Sequence, residues 1–142
     1  MLKTPLFIRN FIMIAVIATL HFSALQFYLY WRLWWFDILT HFLGGLWVAM
    51  SFLWLFFQFG FVNIIKNGKN NNLKVALLSS FAVGTAWEVF EYYFGITFVN
   101  APNYATDTIM DISFGLIGGL VAYYFFVFKG YHKRVSGNED SE

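Results

Sequence analysis

The sequence is poor in the residues that soluble proteins depend on. Only 12% of its 142 residues are charged and there is no cysteine. A soluble domain carries about a quarter charged residues, so the composition excludes an ordinary cytosolic enzyme and a disordered chain. The lack of cysteine excludes disulfides, thiolate catalysis and zinc-finger ligation. The net charge of +1 provides no overall field, and a nucleic-acid partner therefore has no support.

What the sequence has in excess is apolar and aromatic residues, at 59% and 23% of the chain. No polar surface of this size can cover that amount of Phe, Trp and Leu. A helix needs roughly 20 apolar residues to cross a bilayer, and four segments qualify, at about 7–30, 37–59, 73–94 and 107–128. Alternating β-barrel patterning is absent. We predict an all-α polytopic membrane protein, a compact bundle of four helices over residues 1–135, followed by a disordered polar tail over 136–142.

Basic residues predict how the chain lies in the membrane. With four spans, eight of the nine fall on one side: Lys3, Arg9, Lys66, Lys69, Lys74, Lys129, Lys133 and Arg134. The opposite side receives only Arg32, within an aromatic stretch typical of a membrane interface. Both termini are therefore predicted to be cytoplasmic, in a multi-pass protein of a bacterial or archaeal cytoplasmic membrane.

Acidic residues recur inside these spans at helical spacing. Pairs at i, i+3 or i, i+4 lie on one helix face, and three pairs occur: Asp37 with His41, Glu88 with Glu91, and Asp107 with Asp111. The predicted orientation brings them to the outer side in two layers, with Asp37, Glu91 and Asp107 above His41, Glu88 and Asp111. Small residues allow close helix approach, and a glycine belt about one turn deeper predicts tight packing, with close approach of a substrate to the backbone as the alternative. The belt contains Gly44, Gly45, Gly84, Gly115, Gly118 and Gly119.

A charge deep in a bilayer costs at least ~2.5–3.5 kcal/mol, so the five clustered carboxylates need compensation. Arg32 supplies a single positive charge, whereas two divalent ions would nearly neutralise the set. Carboxylates with one imidazole suit a bridged centre of Mg, Mn, Zn or Fe. The predicted metal ligands are Asp37, His41, Glu88, Glu91, Asp107 and Asp111. The alternative is a polar network of shared protons and interhelical hydrogen bonds.

Four further residues are candidates near this cluster. Arg32 is placed to hold a phosphate at the mouth of the site or to snorkel to the interface, and Gln26 to hydrogen-bond a ligand carboxylate. Trp87 is a candidate for the pocket wall because it adjoins Glu88. We interpret His21, in the middle of the first span, as a hydrogen-bonded core histidine, with a proton relay as the alternative.

Three motifs carry a resemblance to a known family. The segment from Asp37 to Gly45, the segment from Trp87 to Glu91, and the segment from Asp107 to Asp111 with the later Gly118 and Gly119 resemble the bacterial inner-membrane family typified by YjdF. More distantly, the chain is similar to the VanZ-like superfamily, with Glu91 where that pattern has Gln. The resemblance covers about residues 30–120 and implies the fold and the site rather than a reaction.

The leading functional hypothesis is a metal-dependent membrane hydrolase or transferase. Its substrate would be a lipid or lipid-linked envelope precursor that enters sideways from the bilayer, with one carboxylate free as general base. A cation or proton transporter or channel is the main alternative. A non-catalytic protein that binds a lipid or another membrane protein is a third. Membrane lipids are the expected partners, and a homo-oligomer is compatible with the sequence.

Overall fold

The computed structural model describes residues 5–58, 69–96 and 103–128, and these are helical throughout apart from short turns. The helices are α1 (Pro5–Phe27), α2 (Leu29–Arg32), α3 (Trp34–Gln58), α4 (Lys69–Phe94) and α5 (Tyr104–Phe128). All but α2 are long and apolar enough to cross a membrane. The prediction of an all-α bundle with four membrane-spanning helices is confirmed.

The predicted first span is wrong at its outer end, where the chain turns instead of continuing as one helix to Tyr30. Tyr28 adopts a left-handed backbone conformation with φ 56°, and Leu33 is extended. As a result α3 begins at Trp34, three residues before the predicted start of the second span. Burial of Tyr30 against Ala24 stabilises α2 in this position. Hydropathy does not reveal the turn because the stretch is apolar on both sides of it.

Three of the long helices form the core, and the fourth lies outside it. α3, α4 and α5 all pack against one another, whereas α1 packs against α2 and α3 and makes at most a marginal contact with α4 or α5. The Trp47 indole N–H donates a 3.1 Å hydrogen bond to the Asn10 backbone oxygen, which joins α1 to α3. The buried apolar core lies in the half of the bundle away from the acids and contains Ala49, Met50, Leu53, Ala76, Ala122 and Phe126.

The glycine belt divides into two kinds of position. A Cβ on Gly45 would collide with the Gly115 backbone, and a Cβ on Gly118 would collide with the Phe42 carbonyl, so these glycines allow α3 and α5 to approach closely. In contrast, a Cβ on Gly44 or Gly84 would meet no atom within 4 Å. Tight packing therefore does not account for Gly44 and Gly84, and the alternative, room for a substrate close to the backbone, stays a prediction for these two.

The predicted polar tail at 136–142 lies outside the described residues. Most of the basic residues that predict the orientation of the chain also lie outside the described residues, including Lys3, Lys66, Lys129 and Arg134. The cytoplasmic location of both termini therefore stays a prediction.

Alanine substitutions at two glycines should separate these two kinds of position. We expect Gly118→Ala to lower the free energy of unfolding by about 1–3 kcal/mol, because the new methyl group overpacks the α3–α5 contact. Gly84→Ala should leave the stability unchanged or raise it by up to ~1 kcal/mol, since alanine is the better helix former and meets no neighbour. Thermal melting of the two detergent-purified variants by circular dichroism measures the difference. Equal melting temperatures would contradict the assignment.

Candidate functional site

A buried acidic cluster lies where α3, α4 and α5 meet. α3 contributes Asp37 and His41, one turn apart on the same helix face. α4 contributes Glu88 and Glu91, and α5 contributes Asp111. The four acidic residues are only 3–5% exposed, and the His41 side chain is 8% exposed. The structure therefore brings five of the six predicted ligands into one place.

The imidazole of His41 is the centre of this cluster. Its Nε2 lies 3.4 Å from Asp37 Oδ1 and 3.9 Å from Asp111 Oδ2. Its Nδ1, on the other side of the ring, lies 3.7 Å from Glu88 Oε1. Nε2 thus faces the carboxylates of α3 and α5, whereas Nδ1 faces a carboxylate of α4. His41 therefore joins all three core helices.

Two groups of side chains within the cluster have the spacing of metal ligands. In one group, one ligand atom from each of Asp37, His41 and Asp111 lies within 4.8 Å of the others. The same holds for His41, Glu88 and Glu91. A neutral imidazole offers a lone pair on one nitrogen only, because the other carries the proton. His41 can therefore serve one group as a ligand while it donates a hydrogen bond to the other.

Two carboxylate oxygens in the cluster have no hydrogen-bond partner among the described residues. They are Asp37 Oδ2 and Glu88 Oε1, and both are buried. A buried polar atom without a partner is expensive and uncommon in native proteins. These oxygens fit either a bound cation or a shared proton, and a mixed set of carboxylates and one imidazole suits Mg, Mn, Fe or Zn.

The sixth predicted ligand lies at the edge of the cluster. Asp107 is in the first turn of α5 and half-buried, and it belongs to neither ligand group. The expected upper and lower layers are not separate, because both groups combine a residue from each layer. The reason is that side chains from both predicted layers extend toward His41.

The other candidates differ in their relation to the site. Arg32 ends α2 and is exposed, and Gln26 is exposed near the end of α1. Trp87 contacts the ring of His21 edge-on, with the ring centroids 5.6 Å apart. Of the three, Trp87 is the one that lines a cavity next to the acidic cluster.

A cavity of about 200 Å³ adjoins the cluster. Its polar end contains Asp37, His41, Glu91 and Asp111. Away from these residues the wall is mainly apolar, and it is built by α1, α3 and α4: Ile14, Ile17, Gly44, Trp47, Val48, Val83 and Gly84. The cavity occupies the space between the three-helix core and the outlying α1.

His21 and Tyr30 form a hydrogen-bonded pair at this cavity that the sequence did not indicate. His21 Nδ1 lies 2.7 Å from the Tyr30 hydroxyl, and both residues line the cavity. Burial raises the pKa of Tyr30 well above its usual value, so the phenol stays protonated and can donate to Nδ1 of a neutral His21. The prediction of a hydrogen-bonded histidine is confirmed. Its partner was missed because only the turn at Tyr28 brings the two together, and no Gly or Pro marks that turn.

Removal of the Tyr30 hydroxyl should destabilise this part of the bundle. We expect Tyr30→Phe to lower the free energy of unfolding by about 0.5–1.5 kcal/mol, the usual net contribution of one hydrogen bond. Tyr124→Phe is the matched control because Tyr124 is exposed on the bundle surface. Chemical denaturation in mixed micelles provides the measurement, and equal stability of the two variants would show that the His21–Tyr30 bond contributes nothing.

Comparison with known proteins identifies a family but no characterised relative. The model of a family described as "Predicted membrane protein (DUF2238)" matches residues 3–134. This match agrees with the resemblance to the YjdF-like family, whereas the more distant VanZ-like relationship stays a prediction. No curated protein and no solved structure matches the chain at a significant level.

Proposed function

Since the chain belongs to the DUF2238 family of membrane proteins, whose description names no activity, we propose its function from the site itself. The proposal is a divalent-cation-dependent membrane enzyme that acts on a phosphoryl or acyl bond of a lipid or lipid-linked substrate. One observation carries it: a buried group of Asp37, His41 and Asp111 with ligand spacing adjoins a mainly apolar cavity. A metal site that acts on water-soluble substrates needs no apolar cavity. A pocket that only binds lipid needs no buried acids.

One ion per chain, held by Asp37, His41 and Asp111, accounts best for the arrangement. His41 would ligate through Nε2, which faces both aspartates. Its Nδ1–H would then donate to Glu88, the usual way in which a carboxylate orients a ligating histidine. The unpartnered Asp37 Oδ2 would gain a partner. A second ion on Glu88 and Glu91 would have to do without the imidazole, which makes one ion the favoured number rather than two.

The chemistry divides between the ion and the chain. A bound divalent ion polarises a phosphoryl or acyl oxygen and lowers the pKa of a bound water. Glu91 is buried, lines the cavity and belongs to the group on the other side of His41. It is therefore the candidate general base that removes a proton from the attacking water. The walls of the cavity would exclude bulk water and orient the substrate.

The apolar core disfavours the transporter alternative. A path for ions across the membrane needs polar groups along its length. The end of the bundle opposite the acids is filled mainly by apolar side chains such as Leu53 and Phe126, with Asn72 as a buried polar side chain beside them. Leu53 and Phe126 are almost completely buried. Ser80 donates its hydroxyl to the Gly45 carbonyl, 3.0 Å away, and so ties α4 to α3 below the cluster. Within the described residues, the polar site is thus closed on that side.

Metal content tests the proposal directly. We expect detergent-purified protein to retain about one equivalent of Mn²⁺, Fe²⁺ or Zn²⁺ per chain, or to bind added Mg²⁺ or Mn²⁺ at that ratio. Asp111→Asn and His41→Gln should each weaken binding at least tenfold, or by about 1.4 kcal/mol, because each removes a ligand of the proposed site. Elemental analysis and titration calorimetry give the two measurements.

Asp107→Asn is the matched control, since it makes the same chemical change one helical turn away on α5 and outside both ligand groups. It should bind the ion as the unaltered protein does. Equal losses in Asp107→Asn and Asp111→Asn would overturn the assignment of ligands. Binding to none of these ions by a folded protein would overturn the cation proposal in favour of shared protons, and cation flux into liposomes would favour transport.

A further inference from the structure

The residues that line the cavity beside the acidic cluster extend along two helices. Its lining runs along α3 from Asp37 to Val48 and along α4 from Ser80 to Glu91. Each stretch rises about 16 Å at 1.5 Å per residue. A volume of about 200 Å³ exceeds the roughly 150 Å³ apolar cavity that holds a benzene ring. From this volume and the extent of the lining we infer a slot for one extended chain.

The two open glycines make this slot. Glycine is unfavourable inside a helix, and at Gly44 and Gly84 no neighbouring atom within 4 Å requires it. Both residues line the cavity, one from α3 and one from α4. Side chains at these positions would occupy the empty space, so the glycines keep the slot open.

The slot reaches the surface of the bundle between α1 and α4. Val83 and Trp87 line it and are nevertheless 39% and 38% exposed. The rings of His21 on α1 and Trp87 on α4 meet edge-on, but the backbones of the two helices make at most a marginal contact. Apart from this ring contact, no close helix packing closes this side. In a membrane-spanning bundle the surrounding medium at this depth consists of lipid chains.

The opposite ends of the slot differ in chemistry. Asp37, almost fully buried, lines the polar end, and its Oδ2 has no hydrogen-bond partner among the described residues. The apolar end is formed by Ile14, Trp47 and Val48. A molecule that fits both ends has an apolar tail and a head group that the acids can bind, either through a hydrogen-bond donor or, where a cation is held, through an anionic oxygen.

From these observations we propose that the slot binds one acyl chain of a phospholipid from the surrounding bilayer, with the lipid phosphate directed to the ion at Asp37, His41 and Asp111. The inference rests on the proposed function for the head group, because four buried acids would repel a phosphate without a cation. The predicted binding of the acyl chain rests on the slot alone and not on the cation. It specifies the substrate class as a bilayer phospholipid that enters between α1 and α4.

Leucine substitutions in the slot test this proposal. The full-length protein, purified in detergent with its metal, is titrated with dioleoyl phosphatidic acid, and bound lipid is counted by native mass spectrometry. We expect one lipid per chain. Gly84→Leu and Gly44→Leu should each weaken binding at least about tenfold, because the loss of even two buried methylenes has that effect on affinity. Ala82→Leu should change it less than about twofold, since Ala82 is exposed on the same helix and lies outside the slot.

Metal content and melting temperature, measured on every variant, separate the possible results. Unchanged lipid binding in folded Gly84→Leu and Gly44→Leu would overturn the acyl slot, while a normal metal content would leave the cation proposal intact. If the protein binds lipid but no metal, and the two leucine variants bind lipid more weakly, the cation proposal would be overturned and the slot retained. Preference for a polyprenyl phosphate over phosphatidic acid would overturn the choice of an acyl chain. Equal binding of diacylglycerol would overturn the role of the phosphate.

Discussion

The arrangement of the bundle depends on the contact between one imidazole and the carboxylates around it. Ionised side chains inside a bilayer are costly unless they are paired, and His41 is the side chain that faces Asp37, Asp111 and Glu88 at once. The ring can do this because α3 and α5 approach closely just below it, where Gly118 lies against the Phe42 carbonyl. Glycine packing therefore sets the separation at which three helices can share a single histidine.

The same packing explains why the cavity lies on one side only. α3, α4 and α5 close on one another, and α1 is held by α2, by α3 and by the hydrogen bond from Trp47 to Asn10. The turn at Tyr28 directs α2 back over the end of α1, where Tyr30 binds His21. α1 is thus fixed at its C-terminal end and along α3, while its backbone stays apart from α4 and the two helices meet through the rings of His21 and Trp87. The slot follows from a three-helix core with a fourth helix attached at its edge.

The sequence predicts the helices and most of the cluster because both depend on periodicity. Apolar length fixes the four spans, and i, i+4 spacing places Asp37 with His41. It does not predict that Asp107 stays outside both ligand groups, since that depends on how α5 rotates against α3. Nor does it predict His21 and Tyr30, which meet across a turn that an unbroken apolar run conceals. Nor does it separate Gly84 from Gly118, because a glycine that allows packing and a glycine that leaves space look alike until the opposite helix is in place.

The number of acids is itself informative about the proposed site. Asp37 and Asp111 alone neutralise one divalent ion, so Glu88 and Glu91 exceed what binding requires. Buried carboxyls without such a need are selected against by their desolvation cost. Glu88 can be explained by the orientation of His41, whose Nδ1 it faces. Glu91 has the Trp87 side chain as a hydrogen-bond partner, and it is buried and lines the slot. A carboxylate in that position lies where the proposed reaction at the head of a bound lipid needs a general base.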